Sequence, residues 1–181
     1  MPKQRYILLD RDGVINHDSD TFIKSPDELM PIDGSLEAIA LLNAQGYQVI
    51  VVTNQSGVAR GLLDEPMLEQ IHAKMRRLVS EKGGDITAIY YCPHCADSNC
   101  DCRKPKAGLL KAFAADFNAD LTTIAVIGDS LRDLQAAEAV GAEPILVKTG
   151  KGQITLLNNP HLNFLVFENL YDAAKHIITR H

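Results

Sequence analysis

Tyr6-Ile7-Leu8-Leu9-Asp10-Arg11-Asp12-Gly13 runs from an unbroken apolar stretch directly into three charged residues and a glycine. Apolar residues without polar alternation read as a strand buried on both faces. Similar runs recur at 48–52, 86–91, 123–127, 144–147 and 164–167. Helical patterns lie between them. Ser35–Ala44 carries Leu36, Ile39, Ala40 and Leu42 and stops before Gly46. A longer helix is capped by Asp64, has Pro66 in its first turn, and ends before Gly83-Gly84. Gly108–Phe117 is a third. Ser130 opens a fourth, with Asp133 spaced for a capping box and Gly141 closing it, and 171–180 forms a terminal helix. Alternating buried strands and helices predict the α/β class: a Rossmann-like central parallel sheet with helices on both faces.

Open sheets of this kind bind ligands beyond the carboxyl ends of their strands, near the point where strand order reverses. Each expected end carries capable chemistry. Asp10-Arg11-Asp12-Gly13 follows the first strand and Thr53-Asn54-Gln55-Ser56-Gly57 the second. A Cys/His cluster ending in Arg103-Lys104-Pro105 follows the third, and Gly128-Asp129-Ser130 the fourth. In a regular strand Asp10 and Asp12 point to opposite faces. Just past its end the backbone can turn and bring both carboxylates to one pocket. Paired carboxylates repel unless a cation lies between them or one is protonated. Few carboxylates, with room for water and phosphate, suit Mg²⁺, and Asp129 adds a further ligand. Thr53 and Asn54 offer neutral phosphate donors, and Lys104 a fixed positive charge. Taken singly, each motif reads as an ordinary turn or solvated residue. Their ordered conjunction after successive strands points to an active site.

Composition sets the outer bounds. The 181 residues are 46% hydrophobic and 23% charged, as in an ordinary globular chain, and the length predicts one domain, 1–181. Eighteen Lys+Arg against 23 Asp+Glu give a net charge of -5, which argues against nonspecific nucleic-acid binding. No run approaches the ~20 apolar residues of a membrane helix. The Met1-Pro2-Lys3-Gln4-Arg5 start has no signal-peptide pattern, so a cytoplasmic location without membrane or nucleic-acid partners is expected.

All four cysteines, Cys92, Cys95, Cys100 and Cys102, fall in one short loop with His94. Clustered thiols in a cytosolic chain suggest metal before disulfide, and thiolate with imidazole favours tetrahedral Zn²⁺. Spacing leaves both Cys92/His94/Cys100/Cys102 and the all-cysteine set open; a redox thiol pair is the competing reading.

Asp10-Arg11-Asp12-Gly13-Val14, Thr53-Asn54, Lys104-Pro105 and Gly128-Asp129 with Asp133 resemble the four ordered motifs of the haloacid dehalogenase (HAD) superfamily. The resemblance implies a phosphatase in which Asp10 attacks phosphorus and becomes an aspartyl phosphate. Asp12 protonates the departing oxygen and then activates water, while Thr53 and Lys104 hold phosphoryl oxygens. It further implies Mg²⁺ on Asp10, Asp129 and the backbone carbonyl of Asp12. Tyr91-Cys92-Pro93-His94 and Cys100-Asp101-Cys102-Arg103-Lys104-Pro105 resemble the zinc loop (92–102) of the branch holding heptose bisphosphate and histidinol phosphatases. That implies Cys92, His94, Cys100 and Cys102 as ligands of a structural zinc, with Cys95 a bystander.

The stretches after the first two motifs are too short for a large cap domain, so loops are expected to choose the substrate. Arg60, Arg103 and Lys104, alongside Arg11, suit a doubly phosphorylated substrate. Val51-Val52-Thr53-Asn54-Gln55-Ser56-Gly57-Val58-Ala59-Arg60-Gly61 resembles the heptose bisphosphate phosphatases; the histidinol branch typically has an acidic residue at the Ser56 position and lacks Ala-Arg-Gly. The resemblance implies removal of the 7-phosphate of a heptose 1,7-bisphosphate, in the supply of nucleotide-activated heptose for lipopolysaccharide. Asp18, Ser19, Asp20, Thr21, Thr53, Asn54, Gln55, Ser56, Arg103 and Ser130 would touch sugar or phosphate, and Ser130 stands where some relatives have Lys. A monomer acting on a small phosphorylated sugar is expected. The rivals are a histidinol-phosphate phosphatase and, from another class, a receiver-like phospho-acceptor module. Receivers keep their phosphoaspartate on a middle strand, whereas here the acid pair follows the first.

Overall fold

The computed structural model describes residues 3–180; Met1, Pro2 and His181, at the ends of the expected span, lie outside the described residues. The elements follow as β1 (Arg5–Leu9), α1 (Ser35–Ala44), β2 (Tyr47–Asn54), α2 (Glu65–Glu81), β3 (Ala88–Cys92), α3 (Gly108–Phe117), β4 (Ala125–Gly128), α4 (Leu131–Ala139), β5 (Glu143–Val147), α5 (Gly152–Asn158), β6 (Leu165–Phe167) and α6 (Leu170–Thr179). The six strands form one parallel sheet in the order β3-β2-β1-β4-β5-β6. The chain lays β1, β2 and β3 in one direction, then returns to place β4 on the other side of β1. Strand order therefore reverses between β1 and β4, where Asp10 and Asp129 emerge.

Successive residues of each central strand enter opposite cores. Ile7, Leu9, Val49 and Val51 pack against α1, α2 and α6. Leu8, Ile50 and Val52 pack against α3 and α4. Leu8 and Leu9 are both wholly buried, which explains the missing polar alternation. Each such side chain contributes roughly 1.5–3 kcal/mol of burial free energy.

Departures from the sequence reading have local causes. The third strand begins at Ala88 rather than 86, because Arg76 takes the Ile86 carbonyl before regular pairing starts. The fourth begins at Ala125 rather than 123: Asp120 accepts from the Thr122 amide and closes a 3₁₀ turn over Leu121–Thr123. The expected capping box forms at Ser130 and Asp133. Helix α5 was not expected. Its Ile154 and Leu157 face outward, so it shows no inward apolar stripe; it is tied down instead by Thr155 Oγ1, which donates to the Asp129 carbonyl at 2.9 Å.

Candidate active site

Asp10 and Asp12 lie just beyond β1, and both line a cavity of about 190 Å³ above the switch point. The turn that brings them together depends on Gly13, which has φ +86°; a Cβ there would fall 1.9 Å from Asp129 Oδ2. Gly128 plays the matching part across the gap, since its Cβ would collide with Asp133 Cβ at 2.2 Å. Two glycines thus let three carboxylate-bearing segments converge.

Asp10, Asp129 and Asp133 bring carboxylate oxygens within 4.8 Å of one another. Burial, and then the charge on Asp133, hold the Asp10 carboxyl well above the usual carboxylate range, against the pull of Lys104. The same two causes push Asp129 up to about 7. Carboxylates this crowded favour a bound cation. Asp133 is already engaged: Oδ1 pairs with Lys104 Nζ at 2.5 Å, and Oδ2 accepts from the amides of Asp129 and Ser130 at 3.2 Å each. Asp10 accepts at Oδ1 from the Arg11 amide at 2.8 Å, and Asp129 at Oδ2 from the Lys151 amide at 2.9 Å. The remaining oxygen of each is the natural donor to Mg²⁺, which the oxygen-only set fits.

Lys104 is 3% exposed, and its Nζ lies 3.2 Å from Asp10 Oδ1 and 2.8 Å from the Val52 carbonyl. Desolvation works against its charge, but Asp10 and Asp133 outweigh it and hold the lysine above its ordinary value. Its peptide is clamped from β2, because Asn54 Oδ1 accepts from the Lys104 amide at 3.0 Å and Asn54 Nδ2 donates to the Lys104 carbonyl at 3.1 Å. Asn54, expected to face a phosphate, also lines the cavity, and the same amide is the clamp that positions the lysine.

Asp12 is held on both oxygens. Asn16 Nδ2 donates to Oδ1 at 2.9 Å and Gln55 Nε2 to Oδ2 at 3.1 Å, while Arg11 forks onto the carboxylate from Nε and Nη2. Burial acts to raise Asp12, but the Arg11 charge and these hydrogen bonds win and hold it below the usual range. The Arg11 side chain is wholly buried, and its Nη1 meets Nε2 of His72, on α2, at 3.1 Å. Burial, then Arg11, keep His72 neutral, down to about 3.

Of the other expected residues, Asp18, Ser19, Asp20, Gln55, Ser56, Arg103 and Ser130 line the cavity. Thr21 and Arg60 are absent from its lining; the Arg60 guanidinium lies over the Phe22 ring, 5.5 Å from its centroid. Thr53 is 1% exposed, and its Oγ1 accepts from Gln55 Nε2 at 2.9 Å instead of lining the cavity. Arg132 and Lys151 also line it and were missed. Arg132 follows the Ser130 cap by two residues, a spacing that could have drawn attention. Lys151 comes from the β5–α5 connection and carries no local signal; its Nζ lies 3.4 Å from Asp18.

Below Arg103, Cys92, His94, Cys100 and Cys102 converge with ligand atoms within 4.8 Å of one another, and Cys95 is not among them. Cys102 Sγ lies 3.0 Å from Cys92 Sγ and 3.3 Å from His94 Nδ1, and Cys92 Sγ lies 3.7 Å from Cys100 Sγ. These separations exceed the ~2.05 Å of a disulfide and approach the ~3.8 Å edge of a tetrahedron with Zn–S bonds of ~2.3 Å. The donor set is compatible with zinc. The loop also holds Arg103, whose Nη1 donates to the His94 carbonyl at 3.3 Å.

Residues 101–173 match the HAD-hydrolase-like family model. The D-glycero-beta-D-manno-heptose-1,7-bisphosphate 7-phosphatase of Pseudomonas putida is 50% identical over 174 residues, covering 96% of this chain and 99% of the relative. The enzyme of the same name from Neisseria meningitidis is 48% identical, with 96% and 95% covered. The crystal structure of D,D-heptose 1,7-bisphosphate phosphatase from Bordetella bronchiseptica, complexed with magnesium and phosphate, superposes with a TM-score of 0.95 at 46% identity, covering 98% of this chain and 99% of that one. With sheet order, convergent carboxylates and near-complete coverage in agreement, this chain belongs to the D-glycero-beta-D-manno-heptose-1,7-bisphosphate 7-phosphatase family of HAD-like hydrolases.

Proposed function

We propose that this chain is a Mg²⁺-dependent phosphatase that removes the 7-phosphate of D-glycero-beta-D-manno-heptose 1,7-bisphosphate through an aspartyl phosphate on Asp10. The observation that carries the reading is an acid held apart from the nucleophile in one cavity: Asp10 beside Lys104, and Asp12 fixed separately by Arg11, Asn16 and Gln55. Asp10 attacks phosphorus, the bond to the C7 oxygen breaks, and that oxygen takes a proton from Asp12. The Asp12 carboxylate then takes a proton from water as it attacks phosphorus, and the acyl–phosphate bond breaks to release phosphate. Arg11 keeps Asp12 ionised in the free chain; an arriving phosphate dianion raises its proton affinity and prepares it as an acid. Lys104 offsets charge on the transferring oxygens. Asp10, Asp129 and the Asp12 carbonyl would hold Mg²⁺, which when bound neutralises phosphoryl charge.

Substrate recognition falls to Asp18, Ser19, Asp20, Ser56 and Ser130 for the sugar, and to Arg103, Arg132 and Lys151 for the second phosphate. The whole chain works as one capless domain, a monomer of the cytoplasm acting on a small phosphorylated sugar without nucleic-acid or membrane partners. No helix among the described residues is long and apolar enough to cross a membrane. The relatives named above favour the heptose substrate over histidinol phosphate, and an acid in the same cavity as the nucleophile favours hydrolysis over a persisting phosphoaspartate. The test is phosphate release with Mg²⁺ from heptose 1,7-bisphosphate and from histidinol phosphate. A kcat/KM at least ~100-fold higher for the heptose, with the C1 phosphate retained in the product, is expected. Equal rates, or a product that keeps its 7-phosphate, would sink the reading.

The zinc set Cys92, His94, Cys100 and Cys102 serves structure: it staples the loop that presents Arg103 and Lys104. Such sites contribute ~10–16 kcal/mol in small peptides, more than a short loop gains from packing. Chelating the zinc is therefore expected to raise KM several-fold and to speed amide exchange across 92–106, while amides of α1 and α6 stay protected. Global unfolding together with the loop would show that the staple supports the core instead.

A further inference from the structure

His72 occupies an odd place. The inward stripe of α2 is Leu68, Ile71, His72, Met75 and Val79, all buried, and apolar packing alone would ask for another leucine or isoleucine at the third position. What it meets is Arg11, the residue between the expected nucleophile and the expected acid. A guanidinium carries five N–H donors and no acceptor. On Arg11, Nε and Nη2 serve Asp12 at 2.9 and 3.2 Å. Nη1 points the other way, into the core, where a donor left without a partner costs ~1–3 kcal/mol. His72 Nε2 accepts there at 3.1 Å, and only a neutral ring with its proton on Nδ1 can do so.

We infer that His72 is a positioning residue for the phosphatase reaction: by holding Arg11 Nη1 it fixes the guanidinium that aims the Asp12 carboxylate at the leaving oxygen. The inference rests on the reading of Asp12 as general acid. Asn16 and Gln55 each touch one oxygen of Asp12, whereas the Arg11 fork spans both and so sets the plane of the carboxylate. Without His72 the fork can rotate about the Arg11 side chain, and the acid loses its aim while the nucleophile, held by Lys104 and the Arg11 amide, keeps its own.

The test uses two leaving groups, because a general acid matters for an alkoxide and hardly at all for p-nitrophenolate. The readout is kcat/KM, which covers the steps through leaving-group departure and excludes hydrolysis of the aspartyl phosphate. His72→Leu is expected to lower kcat/KM for the heptose 7-phosphate by about tenfold or more and for p-nitrophenyl phosphate by less than about threefold. His72→Gln, whose amide oxygen reaches the Nε2 position, restores the sugar phosphate to within about threefold of wild type; His72→Asn, whose amide stops near the Nδ1 position, does not. If His72→Leu fails to fold, the Gln and Asn pair makes the same comparison. Equal losses on both substrates, no loss on either, or equal activity of the Gln and Asn variants would overturn the inference. Asp12→Asn serves as the control. If it spares p-nitrophenyl phosphate while His72→Leu does not discriminate, His72 alone is misassigned. If Asp12→Asn removes both substrates equally, the acid assignment falls and the inference with it.

Discussion

Asp10→Asn is expected to lower kcat by about 10⁴-fold or more, while raising the melting temperature measured without magnesium. The kinetic loss follows from chemistry: an amide oxygen cannot attack phosphorus to give the acyl phosphate, and Asp12, held 'in place' by Arg11, Asn16 and Gln55, cannot replace it. The stability gain follows from burial. The folded chain holds the Asp10 carboxyl well above its ordinary value, through desolvation and then Asp133. An acid whose folded value is raised binds protons more tightly folded than unfolded, so between the two values stability falls as pH rises. Near neutral pH its charge is therefore a burden. Asparagine keeps the shape and can still accept from the Arg11 amide and from Lys104. Acid-quench trapping of labelled enzyme, steady-state kinetics and thermal melts in EDTA check both halves. Turnover at the wild-type rate would end the covalent reading.

Lys104→Met is expected to cost activity and stability together. It removes the buried cation 3.2 Å from Asp10 and 2.5 Å from Asp133. Breaking a buried pair from one side costs ~3–5 kcal/mol, because the remaining charge has no compensation; at this chain length that corresponds to a drop of about 10 °C in Tm. Loss of the charge that neutralises the phosphoryl group lowers kcat/KM by about 10²–10³-fold. The stability defect has a pH signature. Without Lys104 the carboxylates of Asp10, Asp129 and Asp133 repel unopposed, and Asp129 stands near 7 even with the lysine present. As pH falls from above 7 towards 4, Asp129 and Asp10, both held above the usual range, take up protons in the folded state, and the gap in Tm between variant and wild type narrows. A gap that widens on acidification would show that packing, not charge, is what methionine disturbs.

Much of the architecture was legible because its signals are local. The run from Tyr6 to Leu9 lacks alternation because successive side chains enter different cores, and Asp10 follows directly because the strand ends where the sheet meets solvent. The Ser130/Asp133 box and the Asp64 cap lie within one helical turn, so spacing alone discloses them. The order of acid pair, threonine, lysine and acid could be read for the same reason. Where a strand or helix was displaced or missed, as at Ile86, Thr123 and α5, the cause was a contact reaching in from elsewhere, which periodicity does not register.

The sequence by itself determined the sheet, the strand ends that carry the chemistry and the clustering of thiols, since each depends on neighbours a few positions apart. Only the tertiary structure decided which groups meet. It brought His94 rather than Cys95 to the thiols, clamped the Lys104 peptide with the cavity-lining Asn54, 50 residues away, laid Arg60 over Phe22, and put His72 behind Arg11 across 61 positions. The physical reason is the order β3-β2-β1-β4: it sets distant segments side by side, and there burial obliges every donor and charge to find a partner that no local pattern announces.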